Sequence, residues 1–252
     1  MPLALTREVS SGLAACELTH LERVPIDVGR ARSQHAGYED ALRRAGYEVV
    51  QVAATPEMPD SVFIEDIALV FDEVAIVTRP GAPSRRAEVP GVAEVLAQYR
   101  PLHTIEAPAT VDGGDVLVVG RRVYVGQSGR TNSNAAAQLH RIVAPFGYTI
   151  CAVPVRGCLH LKSAVTALSD DVLLVNPERI DATWFREFHF VEVDRHEPMA
   201  ANALRLRDRI VYPESFPRTA DRIARAGFQV DRVDVSELQK AEGAVTCCSL
   251  IM

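Results

Sequence analysis

The 252-residue chain contains no apolar run approaching the roughly 18 residues that a membrane span requires. Its first residues, Met1-Pro2-Leu3-Ala4-Leu5-Thr6-Arg7, lack the basic region and apolar stretch of an export signal. Together these absences predict a soluble, cytoplasmic protein that does not contact a membrane. Aromatic residues make up only 6%, Lys and Arg are not clustered, and the net charge is -6, so the electrostatic footprint of a nucleic-acid binder is missing. The five cysteines, Cys16, Cys151, Cys158, Cys247 and Cys248, are odd in number and show no paired metal-finger spacing. That argues against a disulfide framework and for reduced thiols, one of which is free to react. What is present is a 48% apolar composition, enough for a sizeable core and incompatible with disorder. The surplus of 33 acidic over 27 basic residues makes any charged partner a cation.

A repeat organises the chain. Ile67 to Phe71, the polar pair Asp72-Glu73 and Val74 to Val77 read as two buried strands joined by a tight turn. The pattern returns at Val116 to Val119 with Val123 to Val125, at Ala164 to Leu168 with Val172 to Val175, and more weakly at Ala203 to Leu206 with Ile210 to Tyr212. Turn starts at Asp72, Gly120, Ser169 and Arg207 are separated by 48, 49 and 38 residues, room for a helix in each unit. Helical patterning follows each hairpin at Arg86 to Tyr99, Thr131 to Phe146, Glu178 to Glu187 and Pro217 to Ala226. Closing strands are expected at Leu102 to Glu106, Tyr148 to Val155, Phe188 to Val193 and Phe228 to Val235. Upstream, Val28 to Ala45 reads as a helix and Tyr47 to Ala53 as a strand, a unit lacking only its hairpin. Pairing Leu3 to Val9 with Thr246 to Met252 would supply it and close a ring without exposed edges. No linker or change of composition interrupts the pattern, so residues 1–252 are expected to form one domain.

Reactive residues recur at one place in this repeat. Asp60 to Asp66 precedes the first hairpin, Asp112-Gly113-Gly114-Asp115 the second, Leu159-His160-Leu161-Lys162-Ser163 the third, and Thr246-Cys247-Cys248-Ser249 lies in the split unit. Taken singly, each has a structural explanation: Glu65 and Asp66 as strand-leading turn residues, Asp112 as a turn former before Gly-Gly, His160 as a core histidine, and the cysteines as small buried hydrophobes. Taken together, pseudo-symmetry carries carboxylates, an imidazole and a thiol to one rim. A divalent metal held by Asp60, Asp66, Asp112 and His160 is one use of such a set, but the chain has no EF-hand or His-Glu-x-x-His motif. The other use is thiol attack on a cationic carbon. A guanidinium is permanently charged and presents its N–H donors in a fork, so carboxylates at its edge hold it and polarise its carbon. The bound cation lowers the thiol's pKa, and the histidine protonates the departing amine and then activates water. Ser236-Glu237-Leu238-Gln239 has capping-box spacing and Gly243 a stop, predicting a short helix that delivers Ala244-Val245-Thr246-Cys247.

At these residues the chain resembles a known family. Met58-Pro59-Asp60 with Val62-Phe63-Ile64-Glu65-Asp66, the run Thr78 to Arg86, Asp112-Gly113-Gly114-Asp115-Val116, Arg130-Thr131-Asn132, Leu159 to Ser163 and Thr246 to Ser249 are similar, in order, to motifs of the dimethylarginine dimethylaminohydrolases of the guanidine-modifying (pentein) superfamily. The resemblance implies a five-bladed pseudo-symmetric α/β propeller that hydrolyses methylated arginines to citrulline and methylamine or dimethylamine without a cofactor or required metal. It implies Cys247 as nucleophile, His160 as general acid/base, and Asp66 and Asp112 as carboxylates holding the guanidinium. It further implies substrate contacts at Asp60, Phe63 and Glu65, α-carboxylate anchoring by Arg85 and Arg130, a flap contact at Leu18 and a backbone contact at Ala241. Cys248 is expected to pack, although two adjacent thiols near His160 could trap inhibitory zinc. A monomer or homodimer is expected. An arginine deiminase and a non-catalytic binder of cationic amino acids are the alternatives, the former disfavoured by the missing extra helical domain.

Overall fold

The tight turns read from the sequence close antiparallel hairpins in the computed structural model, which describes residues Met1–Met252. Gly120 turns its hairpin at φ +57, a conformation open to glycine without steric cost, while Arg207 at the equivalent place holds φ 54 despite its Cβ.

In chain order, β1 (Leu3–Arg7), α1 (Val28–Arg44) and β2 (Glu48–Val52) begin the first blade. The second contains β3 (Ala68–Val70), β4 (Ala75–Val77), α2 (Val89–Leu96) and β5 (Leu102–Thr104). The third contains β6 (Val116–Val119), β7 (Arg122–Gln127), α3 (Ser133–Val143) and β8 (Thr149–Pro154). The fourth has β9 (Val165–Ala167), β10 (Val172–Val175) and β11 (His189–Glu192); the fifth has β12 (Leu204–Leu206), β13 (Arg209–Pro213), α4 (Pro217–Arg225) and β14 (Gln229–Val233). The short helix α5 (Ser236–Gln239) leads to β15 (Leu250–Ile251). Every sheet has three strands, in the second to fifth blades a hairpin whose second strand pairs in parallel with the closing strand. The expected ring closure is present: β1 pairs antiparallel with β15, Ala4 opposite Ile251, and in parallel with β2. The architecture is the expected five-bladed α/β propeller.

Apolar periodicity explains the packing. In the third blade, Val116, Val123 and Val125 of the sheet meet Ala135, Leu139 and Val143 on one face of α3, whose first turn is capped by the Asn132 side chain accepting from Asn134 N–H. Each fully buried Val or Leu there is worth about 1.5–3 kcal/mol of transfer free energy. The innermost strands, β3, β6, β9, β12 and β15, line an axial cavity of about 220 Å³.

Three local expectations are corrected. Glu178 to Glu187 forms no α-helix, only a 3₁₀ turn at Ala182–Phe185, because its buried residues Ile180 and Phe185 stand five apart and cannot share a helical face. Thr246 to Met252 is strand only at Leu250–Ile251; Thr246–Cys248 is a 3₁₀ turn whose N–H groups have partners outside any ladder, Cys247 N–H donating to Ala244 O and Thr246 N–H to the Asn202 side chain. The capping box does not close. The Gln239 side chain instead accepts from the Ser215 hydroxyl, while Glu237 accepts from Asp27 N–H and the Ser236 hydroxyl from Gln34 and Arg30, tying α5 to α1.

Candidate active site

Four of the five innermost strands are preceded by a 3₁₀ turn at the same repeat position: Ile64–Ile67, Gly113–Asp115, Leu161–Ser163 and Thr246–Cys248. Pseudo-symmetry brings these turns into mutual contact at one end of the axis. Before β12 the place of a turn is taken by Asn202, whose amide donates to Thr246 Oγ1 at 2.9 Å and to Lys162 O at 3.2 Å.

The turns set an imidazole between two carboxylates. His160 Nε2 lies 3.2 Å from Asp112 Oδ2, and Nδ1 lies 3.9 Å from Asp66 Oδ1. Asp112 is aimed by Gly81 N–H, which donates to its Oδ1 at 2.8 Å, and Asp66 by Gly114 N–H, which donates to its Oδ1 at 3.0 Å. Burial opposes the charge on His160, but Asp66, Asp112 and Asp115 outweigh it and push the imidazole's pKa up to about 9. Burial likewise opposes ionisation of Asp66, yet His160 and Arg85 beside it hold its carboxyl below the usual range. Asp115, which accepts from Leu161 N–H at 2.9 Å and the Ser128 hydroxyl at 2.5 Å, fixes the turn carrying His160. Asp66, Asp112 and His160 are the one grouping whose ligand atoms lie within 4.8 Å of one another, dimensions that suit a small cation or a guanidinium edge.

Cys247 shares this cleft with Asp60, Phe63, Asp66, Arg85, Asp112, Arg130, His160 and Ala241. Burial, then the charges of Glu65 and Asp66, pushes its thiol well above the ordinary pKa. Cys248 turns the other way, its thiol donating to Ala244 O at 3.4 Å within the core of the first blade, so the two thiols do not form a pair open to zinc.

Two expected substrate contacts are also reassigned. Glu65 does not line the cleft; it lines the axial cavity, bonded to Lys162 Nζ at 2.7 Å and to the Thr246 hydroxyl at 2.8 Å, and so ties three of the four turns together beneath Cys247. Leu18 is half-buried against the first core, and its neighbour Glu17 faces the cleft instead. Arg85 does reach the cleft but is not free to grip an incoming carboxylate with its whole fork. It is buried, bonded through Nη1 to Asp66 at 2.5 Å, through Nε and Nη2 to Glu88, and through Nη2 to the carbonyls of Asp60 and Phe63. Only one Nη1 N–H is left over, so Arg85 chiefly aims Asp66. Arg130 is more available: Nη2 donates to Thr19 Oγ1 at 3.1 Å, and Nη1 stands 3.6 Å from Glu17 Oε2.

The segment from Leu13 to Arg23 lies over this cleft as a lid. The Glu17 N–H donates to the Asp60 carboxylate, whose burial pushes its pKa up to about 6. Glu242 accepts from the N–H groups of Thr19, His20 and Leu21 at 3.0, 2.5 and 2.7 Å. With the lid down the cleft measures about 30 Å³, room for little more than a water. Sequence reasoning missed Glu17 and Glu242, whose partners lie as far as 223 residues away.

The family model described as N,N dimethylarginine dimethylhydrolase, eukaryotic, matches residues 22–250. The N(G),N(G)-dimethylarginine dimethylaminohydrolase of Streptomyces coelicolor is 42% identical over 250 residues, covering 98% of this chain and 95% of that protein. Among solved structures, a cysteine-to-serine variant of dimethylarginine dimethylaminohydrolase from Pseudomonas aeruginosa, complexed with citrulline, superposes with a TM-score of 0.92 at 34% identity, covering 99% of this chain and 98% of that one. The product-bound N-terminal domain of ArgZ, an arginine dihydrolase from the ornithine-ammonia cycle in cyanobacteria, superposes with a TM-score of 0.90 at 19% identity over 99% of this chain and 97% of that one, a likeness of fold alone.

Proposed function

Because the chain belongs to the dimethylarginine dimethylaminohydrolase family, we propose that it hydrolyses Nω-methylated arginines to citrulline, releasing dimethylamine or methylamine. The observation that carries this reading is the imidazole held between two buried carboxylates in the cleft that also presents a thiol.

Asp66 and Asp112 receive the guanidinium and orient its carbon over Cys247, while Arg130 takes the α-carboxylate. The cation offsets the negative charges that hold the thiol's pKa high, so the thiol gives up its proton to solvent as substrate binds and a thiolate is left facing the guanidinium carbon. The sulfur bonds to the guanidinium carbon. His160, charged in the free site, gives its proton to the methylated nitrogen, and that C–N bond breaks. The neutral imidazole then takes a proton from water, whose oxygen attacks the thiouronium carbon; the C–S bond breaks and citrulline leaves. The same reading takes residues 1–252 as one catalytic domain, working as a monomer or homodimer in the cytoplasm. No helix is long and apolar enough to cross a membrane.

The test is turnover of asymmetric dimethylarginine and of arginine in parallel, with citrulline, dimethylamine and ammonia quantified. Citrulline with dimethylamine from the methylated substrate is the expected result. Ammonia from arginine as the dominant product assigns the site to arginine deimination, and citrulline from neither refutes hydrolysis.

A further inference from the structure

Four blades contribute a turn to the floor of the cleft, and the fifth contributes one side chain. Around the axis, Ile64–Ile67 packs against Gly113–Asp115 and Thr246–Cys248, and Gly113–Asp115 against Leu161–Ser163. The gap left between Leu161–Ser163, which follows His160, and Thr246–Cys248, which bears Cys247, is the one that Asn202 spans. Its amide is buried, and each of its polar groups is committed. Oδ1 accepts from Thr246 N–H at 3.0 Å, and Nδ2 donates to Thr246 Oγ1 at 2.9 Å and to Lys162 O at 3.2 Å. An amide offers two N–H donors and one carbonyl, so these bonds use both donors and the acceptor.

The backbone behind this amide is itself anchored. Thr166 Oγ1, buried in β9, donates to Ala201 O at 2.8 Å and accepts from Ala203 N–H at 3.0 Å, so one hydroxyl grips the chain on both sides of Asn202. The Tyr212 hydroxyl donates to Ala200 O at 2.5 Å. Asn202, Thr166 and Thr246 do not line the cleft, so this assembly does not hold substrate. The chemistry nevertheless requires Cys247 and His160 to address one guanidinium from two separate turns. The link through Glu65 reaches the His160 turn at Lys162 Nζ, the end of a flexible side chain. Asn202 instead grips main-chain atoms of both turns through a short side chain, the stiffer of the two joints.

We propose that Asn202 is a positioning residue that sets the nucleophile's turn against the turn of the general acid/base. The proposal rests on the hydrolase reading of the cleft. In Asn202→Ala the two turns lose their joint while Asp66, Asp112 and Arg130 keep their places. Its kcat for dimethylarginine is therefore expected to fall about 100-fold, the cost of a displacement of about 1 Å, with KM held within about threefold. Alkylation of Cys247 by iodoacetamide, followed by mass spectrometry of its peptide, needs no fixed approach and should keep its rate within about threefold. Thr246→Val deletes the hydroxyl that Asn202 holds at nearly constant volume; it is expected to lose about tenfold in kcat, and Thr246→Ser to recover most of that loss. Combined, Asn202→Ala and Thr246→Val should cost about 100-fold, where independent sites would cost about 1,000-fold, because both break one joint. Wild-type kcat in Asn202→Ala with only a lower Tm, a KM that rises as kcat falls, alkylation that falls with turnover, or a multiplicative double loss each overturns the proposal. If Asn202→Ala does not fold, Thr246→Val and Thr246→Ser decide, and equal kcat in those two overturns it. Absence of dimethylamine from the wild type overturns the hydrolase reading itself, and the proposal with it.

Discussion

Replacing Gly114 with alanine adds one methyl group at the most crowded point of the site. The new Cβ would stand 2.5 Å from His160 Nδ1, 2.8 Å from His160 Cγ and 3.1 Å from Asp66 Oδ1. Ordinary carbon contacts begin at about 3.5 Å, so the imidazole must retreat by about 1 Å. It cannot retreat freely, because Asp112 holds its far nitrogen at 3.2 Å and Asp115 fixes the turn beneath it. A misplacement of about 1 Å costs on the order of 100-fold in rate, and overpacking costs about 1–3 kcal/mol of stability. The expected outcome is therefore a folded protein whose kcat for dimethylarginine falls about 100-fold while its Tm drops by a few degrees. Gly120→Ala, at a positive φ with open space around its Cβ, is the control for a backbone penalty away from the site. Citrulline release and thermal unfolding monitored by circular dichroism measure both quantities. Wild-type kcat in Gly114→Ala would refute the claim that His160 must occupy its observed place.

Three further outcomes follow from the same geometry. Cys247→Ser is expected to abolish citrulline formation while still binding dimethylarginine, measured by calorimetry; full activity removes Cys247 as nucleophile. Because the folded pKa of His160, about 9, lies above its ordinary 6.5, its protonation stabilises the fold; this contribution is fully present below about pH 6.5 and is lost as the pH rises through about 9. The Tm difference between wild type and His160→Gln should therefore shift against the wild type across that window, and a pH-independent difference contradicts the charged imidazole. Glu242→Ala removes the acceptor of three lid N–H groups and should increase amide hydrogen exchange at Thr19, His20 and Leu21 by at least about tenfold, with unchanged protection in β7. Unaltered exchange would mean that the lid is held by other contacts.

The ring was readable because its signals are local: a two-residue turn between apolar runs, and a helix and strand behind it, are written within each unit of roughly 50 residues. His160, Asp112 and Cys247 were legible for the same reason, each standing just before a hairpin. Orientation was not. Glu65 and Asp66 are neighbours in one tight turn, and only the packed structure decides that Asp66 faces the cleft and Glu65 the axial cavity. Residue type announced the charge on Arg85 but not that Asp66 and Glu88 consume it. Glu17 and Glu242 act through partners 43 to 223 residues away, which no local pattern records. In the fourth blade the pattern read as helical, and only the structure shows that the residues it buries, Ile180 and Phe185, are too far apart to share a helical face.

Leu3 N–H donates to Met252 O at 2.8 Å, and Met252 N–H to Leu3 O at 2.7 Å. Residues 3 and 252 thus meet as neighbours in one sheet, a few residues from Cys247. A short linker from residue 252 to residue 1, with new termini opened in the exposed turn at Gly120-Arg121, should yield a circular permutant that keeps the same hydrolytic site. The order in which the blades follow one another along the chain is then separable from the site, whose chemistry belongs to the closed ring.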